Sequence, residues 1–127
     1  EPELAHTGRT LASAAQRGIE LDTFTQPFER VDRATTESES AGFVRIHVQR
    51  GGDKIIGATV VGKGAGDLIS EISTAMAGKI GLGRIASIIH PYPTRAEAIR
   101  KLADQFNRRR LTPGTAKILK LLMKLGR

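Results

Sequence analysis

The clearest periodicity lies between Phe43 and Gln49, where Val44, Ile46 and Val48 alternate with Phe43, Arg45 and His47. A two-residue repeat of this kind predicts a half-buried strand. Arg50-Gly51-Gly52-Asp53-Lys54 follows as a turn, and Ile55 to Val61 is apolar on both faces, as a central strand requires. The two segments together predict an antiparallel hairpin. Leu21 to Phe28, rich in Thr and Phe, predicts another strand. Pro27 places that strand at a sheet edge or ends it, because proline brings no N–H to the ladder.

Helical spacing appears in three places. Ala5 to Arg17 predicts a chain end with a short helix over Thr10-Leu11-Ala12-Ser13-Ala14-Ala15, stopped by Gly18. After Gly62-Lys63-Gly64, residues Leu68, Ile69, Ile72, Ala75 and Met76 fall on one stripe that ends at Gly78. Thr94 then caps a helix whose Ile99, Leu102, Ala103 and Phe106 share a face and whose end carries Arg108-Arg109-Arg110. Between these two helices, Arg84 to Ile89 forms a short apolar segment before the turn His90-Pro91-Tyr92-Pro93. Thr112-Pro113 predicts a last, amphipathic helix over about 111–126. The expected architecture is one α+β domain over 1–127, an antiparallel sheet with helices packed on one face.

Composition narrows the chemistry. The 127 residues include no cysteine, which excludes disulfides, thiolate metal sites and thiol nucleophiles from this chain. His6 and His47 lack partners at metal-ligand spacing, so no metal site is expected. No apolar run approaches the ~18 residues of a membrane span, and the acidic opening Glu1-Pro2-Glu3 is unlike a leader. A soluble, cytoplasmic chain is the expectation. The net charge of +7 is uneven: residues 1–77 hold 8 basic and 11 acidic side chains, residues 78–127 hold 12 and 2. Such a block suits either an acidic surface of the same molecule or an autonomous module binding nucleic acid or anionic lipid. With one tyrosine, four phenylalanines and no tryptophan, stacking platforms are few, which favours the former.

Pro2-Glu3-Leu4-Ala5-His6-Thr7-Gly8, then Gly42-Phe43-Val44-Arg45, then Gly57-Ala58-Thr59-Val60-Val61-Gly62, then His90-Pro91-Tyr92-Pro93-Thr94-Arg95-Ala96-Glu97 occur in that order. This series resembles the dimerisation domain of the pyridine nucleotide-disulfide oxidoreductases over about residues 2–106, and is most similar to the mercuric reductase-like branch. The resemblance implies a homodimer whose FAD and NAD(P)H are held by domains preceding this one, with no cofactor on this segment and no nucleic-acid or membrane partner. It implies that turn 90–97 reaches the flavin and cysteine pair of the partner subunit, with Tyr92 and Glu97 catalytic, His90, Pro91 and Pro93 against the flavin, and a cis Tyr92–Pro93 bond.

The sequence departs from the pattern in two ways. Disulfide-reducing branches carry a histidine base where Tyr92 stands, and a phenol of pKa ~10 accepts protons poorly beside an imidazole near ~6.5. Mercuric reductases carry tyrosine there, yet they end in a cysteine pair that this chain lacks. Two residues also have structural readings. Glu97 stands at capping-box spacing from Thr94, and Gly62-Lys63-Gly64-Ala65-Gly66, an incomplete echo of a dinucleotide fingerprint, reads as a loop.

Overall fold

The computed structural model describes residues 3–31 and 41–110. Four strands, β1 (Glu3–Gly8), β2 (Leu21–Pro27), β3 (Phe43–Gln49) and β4 (Ile55–Gly62), form one antiparallel sheet in the order β1-β4-β3-β2. The hairpin is present as its pattern requires. Val44, Ile46 and Val48 are fully buried, and the apolar β4 lies between two neighbours. β2 is an edge strand that ends at Pro27. Arg50, from the hairpin turn, pairs with Glu20 at 3.2 Å and Asp22 at 3.4 Å, tying the turn to the start of β2.

The amino-terminal reading needs correction. Residues 3–8 form the other edge strand, and the helix is confined to α1 (Leu11–Gln16). Thr10 and Ser13 cap it reciprocally, each backbone N–H meeting the other's hydroxyl at 3.0–3.1 Å. Strand β1 escapes the hydrophobic pattern because only its alternate residues Ala5 and Thr7 are partly covered, while Leu4, His6 and Gly8 are exposed. Its partner β4 supplies the ladder that local propensity does not.

Helices α2 (Ala65–Ala77) and α4 (Glu97–Arg110) cover one face of the sheet, α2 against β1 and β4, α4 against β2 and β3. Leu68, Ile72, Ala75, Ile99, Leu102, Ala103 and Phe106 close the core over Phe24, Val44, Ile46, Ala58 and Val60. The apolar stretch after Gly81 becomes a single helical turn, α3 (Leu82–Ile85), whose Leu82 and Ile85 are buried. Asn107 of α4 donates to the carbonyl of Gly83 at 3.1 Å and locks that turn to the long helix. Helix α4 starts at Glu97, not Thr94. Its basic end is used within the chain: Arg109 lies over Phe24 at 5.1 Å and Arg110 over Phe106 at 5.3 Å. The expected helix over 111–126 lies outside the described residues.

On the opposite side of the sheet the register aligns Gly8, Gly57, His47 and Thr23 in one row. A Cβ at Gly57 would stand 2.1 Å from the Arg9 carbonyl oxygen, so the chain leaving β1 crosses β4 at a point only glycine permits. His47, 4% exposed, joins Thr23 Oγ1 through Nδ1 at 2.8 Å. Burial, then the Arg45 guanidinium, then His6 hold its pKa below the ordinary 6.5. The unfolded chain therefore takes up this proton before the folded one, and stability falls as pH drops below 6.5. We expect the urea midpoint to fall between pH 7.5 and pH 5.5, and by less in His47→Gln. Equal falls in both proteins would exclude His47 as the cause.

Candidate active-site turn

The turn between α3 and α4 brings the sequence-selected residues to the surface in a defined order. Ile89 is 93% exposed, Tyr92 68% and Ile88 42%, and Pro91 and Pro93 are exposed beside them. The Tyr92–Pro93 peptide is cis, as the resemblance implies. Thr94 closes the turn by donating its hydroxyl to the Pro91 carbonyl at 2.7 Å. The helix begins through backbone bonds such as Glu97 N–H to the Thr94 carbonyl at 3.3 Å.

Glu97 is not in a capping box. Its carboxyl is buried at 5% exposure, with Oε1 3.7 Å from Arg100 Nη2. Oε2 has no hydrogen-bond partner among the described residues. A buried carboxylate oxygen left this way is costly. Tyr92 is 68% exposed, so the two residues occupy different environments, one at the surface and one covered.

His90 also turns inward. Its side chain is 4% exposed, with Nε2 2.6 Å from Glu71 Oε2 and Nδ1 2.9 Å from the Ile88 carbonyl oxygen. Glu71 belongs to α2, and nothing local in the sequence pairs it with a residue 19 positions on. It is the one member of this site that the sequence reading missed. Of Arg84 to Ile89, read as apolar, only Ile85 is buried and anchors the turn, while Ser87, Ile88 and Ile89 are exposed and extend the surface around Tyr92.

In the glycine-rich stretch at the end of β4 the backbone amides are engaged within the chain. Gly64 caps α2, and the amides of Gly64 and Gly66, which a phosphate would require, donate to the Glu3 carboxylate at 3.3 and 3.4 Å. The anion at this helix N-terminus is the chain's own. His6 is likewise engaged, with Thr59 at 2.8 Å and the Gly8 carbonyl at 3.0 Å. Among the described residues no cluster of His, Asp or Glu could hold a metal, and no helix is long and apolar enough to cross a membrane.

Residues 1–103 match the family model for the pyridine nucleotide-disulphide oxidoreductase dimerisation domain. The chain belongs to this family. Within it, the sequence is 36% identical over 104 residues to dihydrolipoyl dehydrogenase of Bacillus subtilis, a match covering 82% of this chain. It is 34% identical over 105 residues to mercuric reductase of Streptomyces lividans, covering 83% of this chain. The chain spans only 22% of the length of each relative. The crystal structure of LpdA from Mycobacterium tuberculosis superposes with a TM-score of 0.76 at 27% identity, over 83% of this chain and 23% of that one. Family membership accounts for the sheet with its covering helices. The two relatives' different names leave the branch within the family to be argued from the turn.

Proposed function

We propose that this domain builds a symmetric homodimer of a FAD- and NAD(P)H-dependent oxidoreductase and presents Tyr92 to the redox centre of the partner subunit. The observation that carries this reading is the exposure of Ile88, Ile89 and Tyr92 together on a turn whose flanks are tied down. Apolar residues clustered at a rigid surface suit a contact with another protein surface. An isologous contact gives each subunit the same turn from its partner. The cofactors belong to other domains, since the only glycine turn resembling a phosphate cradle is filled by Glu3.

The phenol defines the chemistry the turn can perform. Tyr92 Oη can donate a hydrogen bond to a reacting atom or ligate through oxygen, and at neutral pH it is a weak base. This favours the mercuric reductase-like branch over disulfide reduction through a histidine base. With no cysteine in the chain, any thiol that handles the substrate lies elsewhere. Pro91 and Pro93 set the turn against the flavin edge, and Glu97 acts from beneath it through its unfilled oxygen.

Sedimentation equilibrium tests the assembly. The protein is expected to sediment as a dimer, and Ile89→Glu, which sets a charge at the centre of the apolar turn, is expected to move it toward monomer at unchanged far-UV circular dichroism. A dimer as tight in Ile89→Glu as in the parent would remove turn 88–93 from the interface.

A further inference from the structure

We propose that His90 is a positioning residue: its pair with Glu71 is a strut that fixes the turn presenting Tyr92. The proposal rests on the reading of Tyr92 given above and assigns no contact with flavin or substrate to the imidazole itself. One residue, Pro91, separates the buried His90 side chain from the exposed Tyr92, so the backbone between them converts a buried anchor into a presented aromatic.

The anchor is specific at both ring nitrogens. Nε2 faces Glu71 Oε2 at 2.6 Å and Nδ1 faces the Ile88 carbonyl at 2.9 Å. Both neighbours are acceptors, so each ring nitrogen faces an oxygen that an imidazole N–H can reach. A contact of 2.6 Å from nitrogen to a carboxylate is short even for a charge-assisted hydrogen bond. Ile80, Ile85, Ile88 and Ala96 line the same hollow around the pair. The nearby hydroxyls do not compete, because Ser70 donates to the Gly66 carbonyl and Thr74 to the Ser70 carbonyl.

Glu71 itself is held firmly. Its helix buries Leu68, Ile72 and Ala75 in the core, and Ser73 donates to Thr7 of β1 at 3.0 Å. The strut therefore runs from the sheet through α2 to His90. Thr94 grips the other flank of the turn through the Pro91 carbonyl, leaving Tyr92 between two fixed points.

Tyr92 reports on its own setting, since it is the only tyrosine of the 127 residues and there is no tryptophan. We would measure time-resolved tyrosine anisotropy and acrylamide quenching for the parent, His90→Ala, Glu71→Ala, the double variant and Ile72→Val. The last is a core change in the same helix that leaves the strut whole. The expected result is a loss of residual anisotropy and a rise in quenching in both single variants, no further change in the double variant, and none in Ile72→Val. Unaltered anisotropy in the single variants, or two independent losses that add, overturns the proposal. Should the alanine variants fail to fold, nitrogen-15 spectra of the parent decide: a protonated Nε2 on the His90 ring, facing Glu71, is expected, and an unprotonated Nε2 overturns it. Unchanged anisotropy removes the strut but not the reading of Tyr92, whereas full turnover in Tyr92→Phe removes that reading and with it the purpose of the strut.

Discussion

In the complete homodimeric enzyme proposed above, Tyr92→Phe is expected to lower kcat/KM about 100-fold, the usual loss when one positioned hydrogen-bonding group is removed from a reacting centre. Stability should move by no more than about 0.5 kcal/mol, because the phenol is 68% exposed and the aromatic body is retained. The separation of the two effects is what marks a site residue. A shared site adds a second expectation. In hybrids that pair a Tyr92→Phe subunit with one unable to hold flavin, the working flavin receives either the intact or the altered turn, depending on which subunit carries which defect. Turnover should survive only when the flavin-holding subunit faces an intact Tyr92. Turnover confined to the hybrid that carries both defects in one subunit would show that each chain completes its own site.

Phe106→Ala should destabilise the protein by about 3–5 kcal/mol. The ring is 3% exposed and packs edge-on against Phe24, with centroids 5.4 Å apart and an interplanar angle of 75°. Its removal opens a cavity between α4 and the sheet and also withdraws the surface over which Arg110 lies. Urea unfolding measures the loss, and a double-mutant cycle with Phe24→Leu isolates the ring pair, for which coupling of about 0.5–1.5 kcal/mol is expected. A loss below about 1 kcal/mol would mean that α4 is not closed onto β2 at this point. The consequence reaches the site, since α4 carries Glu97 at its first turn and Phe106 near its last.

The legibility of this protein varied with how much of each signal is local. The alternation over 43–49 and the stripe of Leu68, Ile72 and Ala75 each report a buried face, and both elements stand where those patterns put them. Pro27 marked an edge strand correctly because a missing N–H matters only within a ladder. Strand β1 was hidden: an edge strand with one partner and a largely exposed surface has no need of hydrophobic alternation. Thr94 misled in the other direction. Its spacing from Glu97 satisfies a capping box, but the Glu97 carboxyl is buried and turned to Arg100.

The sequence by itself determined the layer architecture, the hairpin, the family and the proline-bounded turn, because these rest on periodicity, turn chemistry and short motifs that neighbouring residues carry together. Tertiary structure alone decided the environments within that turn. Glu71 meets His90 across 19 residues, Glu3 meets the amides of Gly64 and Gly66 across about 60, and Glu97 is covered while Tyr92 is not. Charge and hydrogen-bonding capacity are written in each residue, but which donor meets which acceptor, and which side chain remains in water, is set only when distant segments pack against one another.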